Sequence, residues 1–141
     1  MFNKILVPID LQDLKGAQET LKSVKDYANG NMQIELLSVL PGYSMPLVAS
    51  YFPKDMVKQA LDAMRKELSK LAEDQLGDAV KYDVWVTAGK AARRIVKRAA
   101  EIDAELILIR AQKHGAIEHA MMGSVTAKVV ETANCSVLVL K

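Results

Sequence analysis

Short, continuous apolar runs bounded by polar residues are the feature of this sequence that most restricts its fold. Residues 106–109 and 137–140 form two such runs in the last third of the sequence. A polar loop and a short helical pattern, which follows Gly123-Ser124, separate them. Runs of this length are typical of strands covered on both faces. The stretch therefore predicts a βαβ unit whose loop lies at the carboxyl end of the sheet, where open α/β folds bind ligands.

The same alternation of apolar runs and amphipathic stretches extends over the whole sequence. We predict strands at residues 4–10, 32–40, 80–86, 106–109 and 137–140. We predict helices at about residues 14–28, 54–76, 90–102 and 125–130, with apolar side chains at spacings of three and four. In the first helix this apolar stripe consists of Leu14, Ala17, Leu21, Val24 and Ala28. Strands and helices that alternate through right-handed crossovers imply a mainly parallel sheet with helices on both faces.

The strand at residues 80–86 differs from the others because its apolar residues alternate with Lys81, Asp83 and Trp85. A period of two with one polar face is typical of a strand at the edge of a sheet. Residues 41–53, which follow the second predicted strand, are rich in proline and are interpreted as a loop.

Length and composition are those of one globular domain. The chain has 141 residues, half of them hydrophobic, and we predict a single domain over residues 1–141. The formal charge of +2 argues neither for nor against a nucleic-acid partner. The single cysteine, Cys135, excludes an internal disulfide, and no apolar run approaches the ~20 residues of a membrane span. We expect a soluble cytoplasmic protein without a signal peptide.

Two positions before predicted helices are candidate ligand contacts. Asp10 can cap the following helix, or it can contact a ribose hydroxyl or, through water, a metal ion. Gly123-Ser124 opens the last helix, where free N–H groups, a glycine and a hydroxyl suit a phosphate. The same pair can equally be a turn glycine followed by a Ser124 N-cap. The chemistry of these residues does not decide between a ligand contact and a helix cap at either position.

Other functional signals are weaker. A basic stripe on one predicted outward helix face is either a solvated surface or a site for polyanions, and it comprises Lys90, Arg93, Arg94, Lys97 and Arg98. No aromatic interleaving accompanies it, so a nucleic-acid partner is not expected. His114 and His119 have no third ligand nearby, and Cys135 is interpreted as a core residue, so no metal site is predicted. The sequence lacks the usual NTPase, dinucleotide, esterase and zincin motifs, and no catalytic residue is predicted.

The sequence resembles the universal stress protein family from end to end. The resemblance rests on KILVPID in the first strand, LLSVL in the second, Gly89 after the third, and LILIR with MMGSVTAKVVETANCSVLVLK. The last stretch is similar to the family's fourth strand, glycine loop of form G-x2-G-x9-G-[ST], short helix and closing strand. The resemblance implies a regulatory protein of the stress response.

The family fold is an open five-stranded parallel sheet in the order 3-2-1-4-5, flanked by four helices and described as adenine nucleotide alpha hydrolase-like. The resemblance implies that ATP or a related adenine nucleotide, with magnesium, binds at the carboxyl ends of strands 1 and 4. It places Pro8 and Asp10 near the ribose, Val39 and Ile109 beside the adenine, and Gly123, Ser124 and Val125 around the phosphates. Little or no hydrolysis is expected, because no obvious water-activating base stands in the loop.

Two glycines of the family motif are replaced in this sequence. Counting back from Gly123, the earlier glycine positions hold Lys113 and Arg110. A glycine there permits a backbone conformation and a close phosphate approach that a side chain resists. Arg110 and Lys113 could instead bind phosphates by charge, or they could fill the pocket and exclude nucleotide. The second case predicts a nucleotide-free protein that acts as a dimeric interaction module.

The last strand is the predicted dimer contact. An uncharged apolar edge strand tends to be covered by another chain, and the family is usually dimeric through this strand. We expect antiparallel pairing across a two-fold axis by Val137, Leu138, Val139 and Leu140.

Overall fold

All neighbouring strands of the sheet run parallel, as the predicted alternation of strands and helices requires. The structure, a computed structural model, describes residues 2–41, 54–111 and 123–141. Within these residues the elements in chain order are β1 (Lys4–Pro8), α1 (Leu14–Tyr27), β2 (Gln33–Pro41), α2 (Lys54–Leu76), β3 (Tyr82–Gly89), α3 (Ala91–Glu101), β4 (Leu106–Arg110), α4 (Ser124–Thr132) and β5 (Ser136–Leu140). The strand order is β3-β2-β1-β4-β5, which confirms the predicted fold.

The central strand β1 is covered completely on both faces. Ile5, Leu6 and Val7 are at most 1% exposed. Because successive side chains of a strand point to opposite faces, Ile5 and Val7 pack with α1 and α2, whereas Leu6 packs with α3 and α4. The neighbouring strand β4 divides its apolar residues between the two clusters in the same way. Full burial of each such side chain stabilises the fold by about 1.5–3 kcal/mol.

The apolar stripe of α1 is shorter than predicted. Ala17, Leu21 and Val24 are buried, but Leu14, the first residue of the helix, is 53% exposed and belongs to neither core cluster. The inclusion of Leu14 in the buried stripe was therefore wrong. Helical periodicity identifies the face on which a residue lies but does not show how far the sheet extends beneath it.

The edge position predicted for the third strand is confirmed. In the described sheet β3 has β2 as its one neighbour. Its ladder continues as far as the pair Pro41–Gly89, so the strand starts and ends later than the alternating pattern indicated. The predicted loop at residues 41–53 lies outside the described residues, apart from Pro41 at the end of β2.

The predicted basic stripe on α3 does not include Arg98. The Nε and Nη2 groups of Arg98 donate hydrogen bonds of 2.7 Å to the two carboxylate oxygens of Glu35 on β2. Its guanidinium lies 3.8 Å from the ring centroid of Trp85, and its Nη1 lies 3.2 Å from Glu101. The hydrogen bond with Glu35 raises the pKa of Arg98 above its usual value. Arg98 therefore joins α3 to β2 and β3, and its placement on an outward stripe was wrong.

We predict that Arg98→Met destabilises the protein by about 2–4 kcal/mol, because it leaves a nearly buried carboxylate without its cation. The side chains of Arg98 and Glu35 are only 16% and 12% exposed. The matched control is Lys97→Met, which removes the same charge from an exposed neighbour and should cost less than about 0.5 kcal/mol. Urea unfolding followed by circular dichroism measures both losses. Equal losses in the two variants would contradict a special role for the Arg98–Glu35 pair.

Candidate functional site

A cleft of about 310 Å³ opens where the carboxyl ends of β1, β2 and β4 meet. In open parallel sheets such a cleft forms where connections leave neighbouring strands toward opposite faces, as α1 and α4 do here. The strand ends contribute Pro8, Ile9, Asp10, Leu37, Val39, Pro41, Ile109 and Arg110. The helix starts and the turn before α1 contribute Gln12, Asp13, Gly16, Ala17, Thr20, Ala91, Ile95, Val125 and Thr126. The cleft therefore combines apolar walls with a polar rim, as is typical of small-molecule sites.

Three helices begin at this cleft. The first turns of α1, α3 and α4 all contribute lining residues, and a helix start carries a partial positive charge. The N-cap of α4 is Gly123, and Ser124 is the first residue of the helix, with an exposed side chain. The interpretation of Ser124 as the N-cap was therefore wrong. Val125 lines the cleft, whereas Gly123 and Ser124 just before it do not.

The capping residue of α1 is Asp13 rather than Asp10. Asp13 Oδ1 accepts a hydrogen bond of 3.1 Å from the Gly16 N–H. Asp10 Oδ1 accepts one of 2.9 Å from the Gln12 N–H, within the turn that joins β1 to the helix. The helix-cap prediction for Asp10 was wrong, because the turn from Asp10 to Asp13 puts Asp13 directly before Leu14, the first residue of α1. Asp10 is exposed and lines the cleft.

Arg110 lies on the wall of the cleft and contacts α1. Its Nε donates a hydrogen bond of 3.0 Å to Thr20 Oγ1, and its Nη1 lies 3.3 Å from Glu19 Oε2. Thr20 in turn donates to the Gly16 carbonyl at 2.7 Å and is buried. On the other side, Thr126 Oγ1 donates to the Arg110 carbonyl at 3.4 Å. The guanidinium is thus held between the end of β4 and the first half of α1.

Six of the nine predicted site residues line the cleft together. They are Pro8, Asp10, Val39, Ile109, Arg110 and Val125. Gly123 and Ser124 begin α4 but are not among the described residues that line the cleft, and Lys113 lies outside the described residues. Sequence reasoning missed Glu19 and Thr20. Thr20 shares a helix face with Ala17 and Val24, so a polar residue on the apolar stripe was the signal that could have identified it.

The described residues show no metal centre. Within residues 2–41, 54–111 and 123–141 no group of three or more His, Cys, Asp or Glu side chains could hold a metal ion. The histidines at 114 and 119 lie outside these ranges. Cys135 is partly buried beside the α3 and α4 cluster, and burial raises the pKa of its thiol. Among the described helices, none is long and apolar enough to span a bilayer.

Comparison with known proteins gives the same picture of the fold. The model of the universal stress protein family matches residues 1–141. The chain belongs to the universal stress protein family. Universal stress protein MJ0531 of Methanocaldococcus jannaschii is 27% identical over all of this chain and 83% of its own length. Universal stress protein YxiE of Bacillus subtilis is 26% identical, with both chains covered completely.

Solved structures share the architecture of this universal stress protein. The hypothetical protein MJ0577 superposes with a TM-score of 0.80 at 26% identity, over all of this chain and 96% of that one. A universal stress protein from Archaeoglobus fulgidus in complex with dAMP has a TM-score of 0.67 at 18% identity, over 99% and 98% of the two chains. A universal stress protein in complex with cAMP has a TM-score of 0.66 at 18% identity, over 99% and 96%. At such identities the last two show a common fold.

We predict that Asp13→Ala destabilises this universal stress protein by about 1 kcal/mol, because the Gly16 N–H loses its capping carboxylate. Asp13→Ser is the matched variant, since a serine hydroxyl can cap the same N–H and should retain most of the stability. Chemical denaturation measures both. If Asp13→Ser loses as much stability as Asp13→Ala, the contribution of Asp13 does not come from capping.

Proposed function

We propose that this universal stress protein is a cytoplasmic stress-response regulator that binds ATP or a related adenine nucleotide in the cleft, with little or no hydrolysis. The observation that carries the proposal is the convergence of an apolar slot, an exposed carboxylate, a guanidinium and a helix start at the ends of β1 and β4. Its volume of about 310 Å³ lies at the lower end of the ~300–1,000 Å³ typical of ligand pockets.

The apolar part of the cleft suits the adenine ring. Val39 of β2 and Ile109 of β4 line this part on either side of β1, and the buried Ile95 of α3 adds a third aliphatic wall. A flat aromatic ring buries most of its surface in such a slot, where the hydrophobic effect provides binding energy. We place the adenine against Val39 and Ile109, and the ribose beside Pro8 and Asp10, whose carboxylate can accept a bond from a ribose hydroxyl.

We place the phosphates at the start of α4. Gly123, Ser124 and Val125 present the first N–H groups of that helix, and a helix N-terminus favours an anion. Arg110 lines the same cleft and supplies the guanidinium, and Lys113 adds charge in the proposal. A magnesium ion would arrive with the nucleotide, since this ion is usually held by substrate phosphates.

Two relatives of similar fold support a nucleotide ligand. One was solved in complex with dAMP and the other in complex with cAMP. Both ligands contain an adenine and a single phosphate group, which are the parts that the aliphatic slot and Arg110 suit.

A second candidate function is favoured by the contacts of Arg110. Its guanidinium is already bonded to Glu19 and Thr20 on the cleft wall, so it both takes up space and has part of its charge neutralised. In that case the protein is a nucleotide-free interaction module that acts through its dimer and its surface.

Restoring glycine at both replaced positions separates the two functions. If the basic side chains bind phosphate, Arg110→Gly with Lys113→Gly lowers ATP affinity roughly 10- to 100-fold, because a charge-assisted hydrogen bond contributes about 1.5–3 kcal/mol. If they block the cleft, ATP affinity rises. Calorimetry with ATP and magnesium measures the change, and Lys81→Gly, beside the opposite end of the sheet, is the control. Absence of binding to the unmodified protein at millimolar nucleotide would rule out the first function.

The homodimer is also part of the proposal. Within the described sheet β5 has β4 on one side, and its other edge carries no partner strand. Leu138 is 39% exposed on this strand, between the partly buried Val137 and Val139, with Leu140 beyond. Pairing this edge with a second copy covers apolar side chains and satisfies the free backbone groups of the strand.

We predict a dimer by sedimentation at micromolar concentration and a monomer for Leu138→Lys, because a lysine at the centre of the contact is costly to bury. Met56→Lys, which places the same charge at another exposed apolar position, should remain dimeric. A monomeric unmodified protein, or a dimeric Leu138→Lys variant, contradicts the contact.

A further inference from the structure

The floor of the cleft includes the point where β1 and β2 separate. Their ladder ends with the pair Pro8–Leu37, after which the Ile9 N–H still donates to the Leu37 carbonyl at 2.7 Å. The strand β2 continues beyond this point, because it stays paired with β3 as far as Pro41 and Gly89. It therefore runs on along the cleft with one edge that β1 no longer covers.

The Ile9 carbonyl is the group at which the ladder stops. In a parallel ladder the N–H and C=O of one residue point to the same neighbouring strand, so the next bond would join the Val39 N–H to the Ile9 carbonyl. That bond is not among the backbone hydrogen bonds that the described residues form. The Ser38 Oγ donates to the Ile9 carbonyl instead, at 2.7 Å. Ser38 is 1% exposed, so a buried side-chain donor has replaced a backbone donor.

This replacement leaves the peptide groups of Val39 without a strand partner. Val39 lies between Ser38 and Leu40, and the pairs of these two residues with Val86 and Ala88 hold β2 against β3. The N–H and C=O of Val39 point the other way, toward the edge that β1 has left. Among the described residues no backbone hydrogen bond uses the Val39 N–H. Because Val39 lines the cleft, a ligand can supply the missing partner.

We infer that Ser38 is a positioning residue of the cleft. Its hydroxyl takes the place of the Val39 N–H at the Ile9 carbonyl, keeps β1 and β2 apart beyond Pro8, and leaves the Val39 N–H and C=O to a ligand. The ligand part of this inference rests on the proposed function, in which Val39 lies against the adenine. An amino group beside a ring nitrogen, as adenine carries, offers the donor and the acceptor that suit this N–H and C=O.

Hydrogen exchange in the ligand-free protein, followed by NMR, tests the strand geometry. The Val39 N–H should exchange roughly tenfold faster than the Leu37 N–H, which is bonded within the β1–β2 ladder. In Ser38→Ala the Ile9 carbonyl loses its side-chain donor, so the Val39 N–H should bond to it and exchange roughly tenfold more slowly than before. Ser38→Thr keeps a hydroxyl at this position and should retain the fast exchange.

Calorimetry with adenosine tests the consequence for binding, without any contribution from phosphate contacts. Ser38→Ala should lower adenosine affinity roughly tenfold, as expected for the loss of about one hydrogen bond, and Ser38→Thr should restore it. The matched control is Ser23→Ala, which removes a hydroxyl that donates to the Glu19 carbonyl at 3.0 Å, away from the cleft lining. This control should change neither the adenosine affinity nor the exchange of the Val39 N–H.

Four results decide against the inference. If the Val39 N–H exchanges as slowly as the Leu37 N–H in the unmodified protein, β1 and β2 remain bonded there and the inference is wrong, even where Ser38→Ala fails to fold. If Ser38→Ala loses adenosine affinity without slower Val39 exchange, the hydroxyl only stabilises the fold. If Ser38→Ala binds adenosine as tightly as the unmodified protein, the inference is wrong while the proposed function stands. If adenosine does not bind the unmodified protein at millimolar concentration, the proposed function fails and the ligand part with it, whereas the exchange rates still decide whether Ser38 keeps the strands apart.

Discussion

Burial of the apolar residues of β1 and β4 on both faces of the sheet is the constraint on which the rest of this structure depends. Their apolar residues point alternately to the two faces, so each face needs its own helical cover. The helices α1 and α2 supply one cover, and α3 and α4 supply the other. Because every neighbouring pair of strands is parallel, the connections leave the sheet at the same edge, and helix starts gather there. The cleft is a consequence of the way the core is covered.

The same alternation decides the partners of Arg110. Leu106 and Leu108 point to the face covered by α1, and Arg110, two residues further along β4, points the same way. Its guanidinium therefore meets Glu19 and Thr20, and Ile109 points to the opposite face beside α3. Ile109 and Arg110 are successive residues of β4, so the alternation of side chains along this strand separates the apolar slot of the cleft from its polar wall.

Sequence periodicity predicted the strands, the helices and a mainly parallel sheet, and the family resemblance supplied the strand order and most of the cleft residues. It succeeded where burial on one or two faces leaves a repeating pattern, as in β1 and in the edge strand β3. It failed for the cap of α1, which was assigned to Asp10, because Asp10 and Asp13 both precede the helical pattern and only the turn between them decides which one caps the helix. It failed for Arg98, because a charge on a helix looks exposed until the carboxylate of Glu35, 63 residues away, is placed beside it.

The replaced glycine at position 110 affects the side-chain chemistry of the cleft rather than the backbone. Arg110 is the last residue of β4 and lies opposite Leu140 in the ladder, and the following N–H donates to the Leu140 carbonyl at 2.8 Å. Among the described residues other than glycine, only Asp103 has a positive φ. The conformational need for glycine expected from the family motif therefore does not arise at this position. A glycine would leave the wall of the cleft open to α1, whereas the arginine closes it with a side chain that contacts Glu19 and Thr20. The wall of the cleft in this family member therefore includes a contact between β4 and α1 that a glycine at the first position of the motif could not make.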